Sequence, residues 1–292
     1  LTVISVINED GTTIKAVRLP DKDNIRTIKL LNEKEDIPPI GLHSWFVLEN
    51  PATAVEEVSK VTRNNGIGVA VKIGTRTKPG DLGTVYCTLP TRTPTGLPIS
   101  VNGDFSIKSD RMTLVDEGSS PDVSWNRELV KRLGDLYVKM ILEARGNVPD
   151  SDYATLLPPD QYSNPSCPMF KGIYDTFFGA GKTEKIIKVT HGSKNNHWAS
   201  AGQARLISNS ANPSLYTCIR ELGGSLVVAS LETRRNLMQK LGVKPFSIED
   251  LPSVLEKHGI TLGSVVEVMP KILNSDTNLE TLYDFLTNEI RN

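Results

Sequence analysis

The feature that most constrains this chain is the stretch from Trp125 to Ala144. Leu129, Leu133, Leu136, Met140 and Ile141, flanked by Val130 and Tyr137, recur at steps of three and four residues, so they share one face of a helix. A stripe that wide has to be covered by another layer of the fold. Ser124 supplies a helix-capping oxygen and Gly146 a stop, which predicts a helix over 125–144. The covering layer is predicted to be a small sheet, because most of the chain ahead of the helix reads as short strands.

Those strands begin with Thr2 to Ile7 and Thr13 to Leu19, joined at Glu9-Asp10-Gly11, where Asp-Gly supplies the positive φ of a tight hairpin. Ile25 to Leu31 reads as a third strand. Pro38, Pro39 and Gly41 interrupt the pattern, after which Trp45 to Leu48 is extended and Ala52 to Thr62 is expected to be a helix. Val69 to Ile73, Thr84 to Leu89 and Leu97 to Asn102 are further extended runs, with Asn102-Gly103 read as a turn leading to Phe105. After the long helix, Pro149, Pro158, Pro159, Pro165 and Pro168 mark a junction.

Beyond the prolines, Ile186 to Thr190 and Leu226 to Ala229 read as strands. Helices are expected from Ser200 through Ile207, from Asn212 to Gly223, up to Leu241, from Ser247 to His258, and over 265–272 and 279–290. The expected class is α+β, or mixed α/β: a small sheet packed by a long amphipathic helix, followed by a helix-rich α/β half. The expected division is a strand-rich tail of a preceding domain over 1–36, a sheet-plus-helix middle domain over 37–146, a Pro-rich junction over 147–168, and a C-terminal domain over 169–292. The chain opens on Leu1 in a strand-like run, so a piece of a longer polypeptide is expected.

Composition narrows the function. With 33 basic and 34 acidic side chains the net charge is -1, which argues against a dedicated nucleic-acid binder, since such a protein carries a basic excess to neutralise phosphates. Hydrophobic residues at 38% exclude disorder as the default, and no apolar run approaches the ~18 residues that read as a membrane span. Cys87, Cys167 and Cys218 show neither disulfide nor zinc spacing, and the absence of an Asn-x-Ser/Thr acceptor fits a reducing cytoplasm.

Catalytic motifs are sparse. Gly181-Lys182-Thr183 is the tail of a phosphate loop, but Thr176 stands where its first glycine belongs, so a solvent loop is expected. Asp81-Leu82-Gly83 matches a chaperone-type adenine contact without the neighbouring parts and reads as a turn. His191 and His197, beside Trp198, and the isolated His43 and His258 lack convergent ligands for a metal.

The run from Leu89-Pro90 through Thr95-Gly96-Leu97-Pro98 and Val101-Asn102-Gly103, with Asp110-Arg111 and then Trp125-Asn126, resembles the repeated segments of the sacsin-like proteins. His197-Trp198-Ala199-Ser200 with Ala204, then Leu222 to Val228 and Val243-Lys244-Pro245, resemble further positions of that family. The resemblance implies a cytoplasmic, non-catalytic chaperone or co-chaperone module in protein quality control. It would follow a domain similar to the ATP-binding domain of the ninety-kilodalton heat-shock chaperone. ATP and magnesium would sit on that adjacent domain, and client or chaperone proteins would be the other partners, with no nucleic acid and no membrane. A basic residue of such a module is expected to sense the terminal phosphate, and Arg76, Lys78, Arg92 and Arg111 are the candidates. A structural scaffold repeat without nucleotide coupling is the alternative, and a phosphate-loop enzyme built on Lys182 is the third reading. Taken without the family, Thr95-Gly96 separates two strands, and Arg111 and Trp125 serve as an ion-pairing group and a helix anchor.

Overall fold

The computed structural model describes residues 3–7, 13–18, 25–32, 41–74, 82–164, 167–191, 195–207, 217, 219–220, 224–256 and 284. Among them the fold is α+β and divides into two compact units, 1–178 and 179–292.

An eight-stranded sheet dominates the first unit. Its strands are β1 (Val3–Ile7), β2 (Thr13–Arg18), β3 (Ile25–Asn32), β4 (Gly41–Asn50), β7 (Ile67–Ile73), β8 (Thr84–Cys87), β9 (Leu89–Pro94) and β10 (Ser100–Gly103). They run in the order β1-β2-β3-β4-β7-β10-β8-β9, antiparallel throughout except for the parallel pair β8 and β10. β1 and β2 form the hairpin expected from Asp10-Gly11, with Ile7 opposite Thr13. β3 pairs with β4, so the first three strands extend the same sheet that carries the middle of the chain.

Helix α1 (Pro121–Ala144) packs on β4 and β7, and every residue of its predicted stripe is buried. It begins before the expected Ser124. The cap is Ser120, whose side chain accepts from the Val123 amide, and Pro121 follows where a missing N–H leaves no donor unsatisfied. Opposite it lie Phe46, Leu48, Val69 and Val71, all buried.

Several expectations are corrected by the fold. Ala52 to Thr62 is no helix: β5 (Val55–Val58) and β6 (Val61–Asn64) form a separate hairpin, turned by Ser59 and Lys60 at φ 52° and 68°. Three valines favour extended backbone there, and the Asn65 carboxamide oxygen holds the Thr53 and Ala54 amides in place. Asn102-Gly103 is not a turn but the end of β10, with Asn102 opposite Gly68 and Gly103 opposite Ile67. A Cβ on Gly103 would press on the Phe105 ring, 3.2 Å from where it would project.

The Pro-rich stretch does not divide the chain. Helix α2 (Asp150–Leu156) and the following loop fold into the first unit: Tyr137 donates to the Leu156 carbonyl at 2.5 Å, and Tyr174 to that of Asp160 at 2.8 Å. Helix α3 (Lys171–Gly181) adds Phe177 against Tyr137, their ring centroids 5.7 Å apart. Prolines here shape a packed loop instead of a linker, because buried Leu156, Leu157 and Phe170 anchor it.

The second unit holds a five-stranded sheet in the order β12-β11-β14-β13-β15: β11 (Ile187–His191), β12 (Asn195–Ala199), β13 (Arg205–Leu206), β14 (Leu226–Val227) and β15 (Lys244–Pro245). Short helices α4 (Ala229–Glu232), α5 (Arg235–Leu241) and α6 (Leu251–Glu256) accompany it. Ser200 to Ile207 is a turn and a strand, not a helix. The capping-box contact between Ser200 and Gln203 is made, but Arg205 is drawn between β14 and β15. The helices expected over 265–272 and 279–290, and most of that from Asn212, lie outside the described residues, although Thr217, Ile219, Arg220 and Asp284 are helical. No helix among the described residues is long and apolar enough to cross a membrane.

Candidate functional site

The segment 89–126 is tied to the first unit almost residue by residue. β8 and β9 meet through Thr88 at φ 66°, and Pro90 and Pro94 are tolerated because β9 lies at the sheet edge. Beyond Pro94 the chain turns back on itself around a buried hydroxyl. Thr95 Oγ1 lies 2.8 Å from the Ile99 carbonyl and 3.0 Å from that of Leu97, and it accepts from the Leu97 amide at 3.2 Å. A hydroxyl donates once, so it serves the nearest carbonyl best. The Gly83 amide donates to Leu97 at 2.7 Å, and the Thr95 amide to Gly83 at 2.8 Å. A Cβ on Gly83 would sit 1.7 Å from the Ile99 carbonyl oxygen, so only glycine fits.

Gly96 adopts φ 72°, and a Cβ there would lie 2.8 Å from both Asn164 and the Tyr162 ring. Asn164 donates to the Pro94 carbonyl at 2.6 Å, and Tyr162 lies 3.3 Å from that of Thr95. Burial pushes the Tyr162 hydroxyl up to about 12. Leu97 and Val101 are buried, Pro98 is half-buried and Asn102 is exposed.

A second lock joins this segment to α1. Trp125 Nε1 donates to the Asp104 carbonyl at 2.8 Å, and the Asp104 carboxylate accepts from Arg63 at 3.1 Å and from the Asn64 amide at 2.9 Å. Fully buried Asn126 accepts from the Ser106 amide and donates to the Ser106 and Val115 carbonyls, each at 2.8 Å. Asp122 receives the hydroxyls of Ser106 at 2.6 Å and of Ser59, which hold its carboxyl below the usual range. Trp125 and Asn126 are legible in the sequence; Asp104, Asp122, Tyr162 and Asn164 are not, because nothing local signals their long-range partners.

Of the four basic candidates, the structure brings two together along the main chain. The Arg92 amide donates to the Met112 carbonyl at 2.7 Å, setting β9 beside the turn that carries Arg111 at φ 56°. That turn is braced by Asp110, which accepts from the Met112 and Thr113 amides at 2.8 and 3.0 Å and from the Thr113 hydroxyl at 2.8 Å, bonds that keep its carboxyl below the usual range. Both arginines are exposed, and neither side chain has an ion pair or hydrogen bond among the described residues. Arg76 and Lys78 lie outside the described residues.

Among the described residues no group of three or more His, Cys, Asp or Glu side chains is placed to hold a metal. Burial raises the Cys87 thiol and pushes that of Cys167 up to about 12, which suppresses the nucleophilic thiolate. Gly179 and Gly181 close the C-terminal end of α3, and exposed Lys182 follows it. A phosphate cradle needs the opposite polarity, with glycines opening a helix N-terminus. Those glycines are therefore helical, not the expected loop. His197 and Trp198 lie on β12 in the second unit, where the Lys188 ammonium sits 5.8 Å from the centroid of the Trp198 ring.

Part of the chain is similar to human sacsin. The similarity spans 177 residues at 27% identity, covering 59% of this chain and 4% of the length of sacsin. No protein-family model matches the chain, and no solved structure matches it. The relation to sacsin is thus a partial one, and the chain spans only a small part of the length of that relative.

Proposed function

We propose that this region is a non-catalytic middle and C-terminal module of a sacsin-like chaperone or co-chaperone, working in the cytoplasm in protein quality control. It couples an adjacent ATP-binding domain of the same polypeptide, where ATP and magnesium are held, to client or partner proteins. The observation that carries the reading is that Arg92 and Arg111 lie on neighbouring segments, both exposed and, among the described residues, without a side-chain ion pair or hydrogen bond, on a backbone braced around Thr95, Gly96, Asp110 and Asn126. An exposed guanidinium not already engaged by a described carboxylate is available to a developing phosphate charge.

The test is ATP turnover by a longer chain that includes the nucleotide domain. Arg92→Gln and Arg111→Gln are each expected to lower kcat by about tenfold or more, since loss of one charge-stabilising donor commonly costs that much. Arg76→Gln and Lys78→Gln complete the set. Unchanged turnover in all four variants would leave the scaffold reading, in which the repeat is a spacer or interaction surface. That second reading draws on Thr95, Trp125 and Asn126, whose polar groups are engaged within the fold.

A further inference from the structure

A cleft of about 540 Å³ lies between the β5–β6 hairpin and the first turns of α1. Val58, Trp125 and Leu129 supply its apolar lining, while Glu56 and Glu57 from the hairpin and Glu128 from the helix supply carboxylates. None of the three carboxylates has an ion pair or hydrogen bond among the described residues. The cation beside them is already engaged: Arg132 donates through Nη1 to the Asn65 carbonyl, tying the turn after β6 to α1. The cleft is therefore an acidic cavity in which three carboxylates face one guanidinium, that of Arg132, whose bond to a neutral carbonyl leaves its charge in place, so the charge of these lining groups is net negative.

We infer that this cleft binds a basic segment of a partner polypeptide, seating a lysine or arginine side chain over the apolar lining with its charge among Glu56, Glu57 and Glu128. A long cationic side chain matches both halves of the lining, because its methylene stem packs on apolar surface while the head stays with the carboxylates. A metal ion fits poorly. The three acids stand on two separate elements and form no group close enough to hold one, and the cavity is far larger than a bare cation needs. An anionic ligand would meet three carboxylates against the single guanidinium of Arg132. The hairpin adds the reason for a polypeptide over a small amine: among the described residues β5 and β6 pair as strands only with each other, and apart from the Asn64 amide, which Asp104 holds, no further strand occupies their outer edges, where a segment could add by main-chain hydrogen bonding. Val55 and Val61, 65% and 49% exposed, offer the same hairpin's apolar side chains to such a segment. The inference rests on the cleft alone and stands whether or not a nucleotide domain is coupled.

The test uses the full chain and a fluorescein-labelled peptide of alternating leucine and lysine, followed by fluorescence anisotropy at low salt. The same peptide with every lysine replaced by norleucine, and again by glutamate, provides the comparison. Binding of the lysine peptide is expected to weaken by about two- to fivefold for each of Glu56→Gln, Glu57→Gln and Glu128→Gln, and by about tenfold or more for the three together. Salt near ~0.15 M should weaken it further through screening. Unchanged circular dichroism establishes that the variants fold, and amide shifts on binding should cluster on β5, β6 and the first turns of α1. The inference is overturned by equal affinity for the norleucine or glutamate peptide, by an unaltered triple variant, by shifts confined to other surfaces, or by calcium ions displacing the peptide from the same amides.

Discussion

Replacing Asn126 with alanine is the most direct test of how α1 is fixed to the segment ahead of it. The carboxamide makes three bonds of 2.8 Å in a fully buried position. Their losses are unequal. The Ser106 carbonyl also accepts from the Val115 amide at 3.0 Å and stays satisfied, whereas the Ser106 amide is left without a partner and the Val115 carbonyl loses its Asn126 contact. An orphaned buried donor costs about 1–3 kcal/mol and the second lost bond about 1 kcal/mol, so a total near 3 kcal/mol is expected. For a unit of this size that corresponds to a Tm lower by about 6–12 °C. The assay is urea unfolding followed by Trp125 fluorescence in a background carrying Trp45→Phe and Trp198→Phe, so that only the first unit reports. Asn126→Asp sharpens the test. The introduced carboxyl keeps the bond from Ser106 but faces two carbonyl oxygens, so it favours its protonated form and its folded pKa rises. Relative to the unsubstituted protein, stability of that variant should be least impaired below the unfolded value of about 3.9 and fall as pH rises through the raised folded value. A loss under ~0.5 kcal/mol for Asn126→Ala, or an aspartate variant indifferent to pH, would refute the lock.

Gly96→Ala should destabilise by about 2–4 kcal/mol in denaturant titration, from positive φ and contact with Tyr162 and Asn164. Gly118→Ala, at φ 93° with open space around it, should cost only about 1 kcal/mol. Equal losses would mean that the contact contributes nothing. Asp122 has a lowered folded pKa, so its contribution is present above the unfolded value and disappears as pH falls through the folded one; Asp122→Asn should flatten that acid limb of the stability profile. In a Cys218→Ser background, Cys87 should react with a disulfide reagent well before Cys167, which is fully buried and has the higher pKa. Simultaneous labelling under native conditions would contradict the described burial.

What the sequence determined by itself was local and periodic. The stripe from Leu129 to Ile141 had to form a helix with a buried face, because apolar side chains at steps of three and four can be covered together only in that geometry. Asp10-Gly11 marked the β1–β2 hairpin for a similarly local reason. The motif run from Thr95 to Asn126 was visible as a run, yet the partners of its residues were not. Tertiary structure made Val55 to Asn64 a hairpin, kept Asn102-Gly103 inside β10, and folded the prolines after Gly146 into the first unit. It also set Arg92 beside the Arg111 turn and three glutamates around one cleft. Outside the local β5–β6 hairpin, the contacts that decide join residues far apart in the chain, such as Asn164 with Pro94 or Asn102 with Gly68. Local propensity is a weak preference there, and a buried hydrogen bond or a packed ring outweighs it.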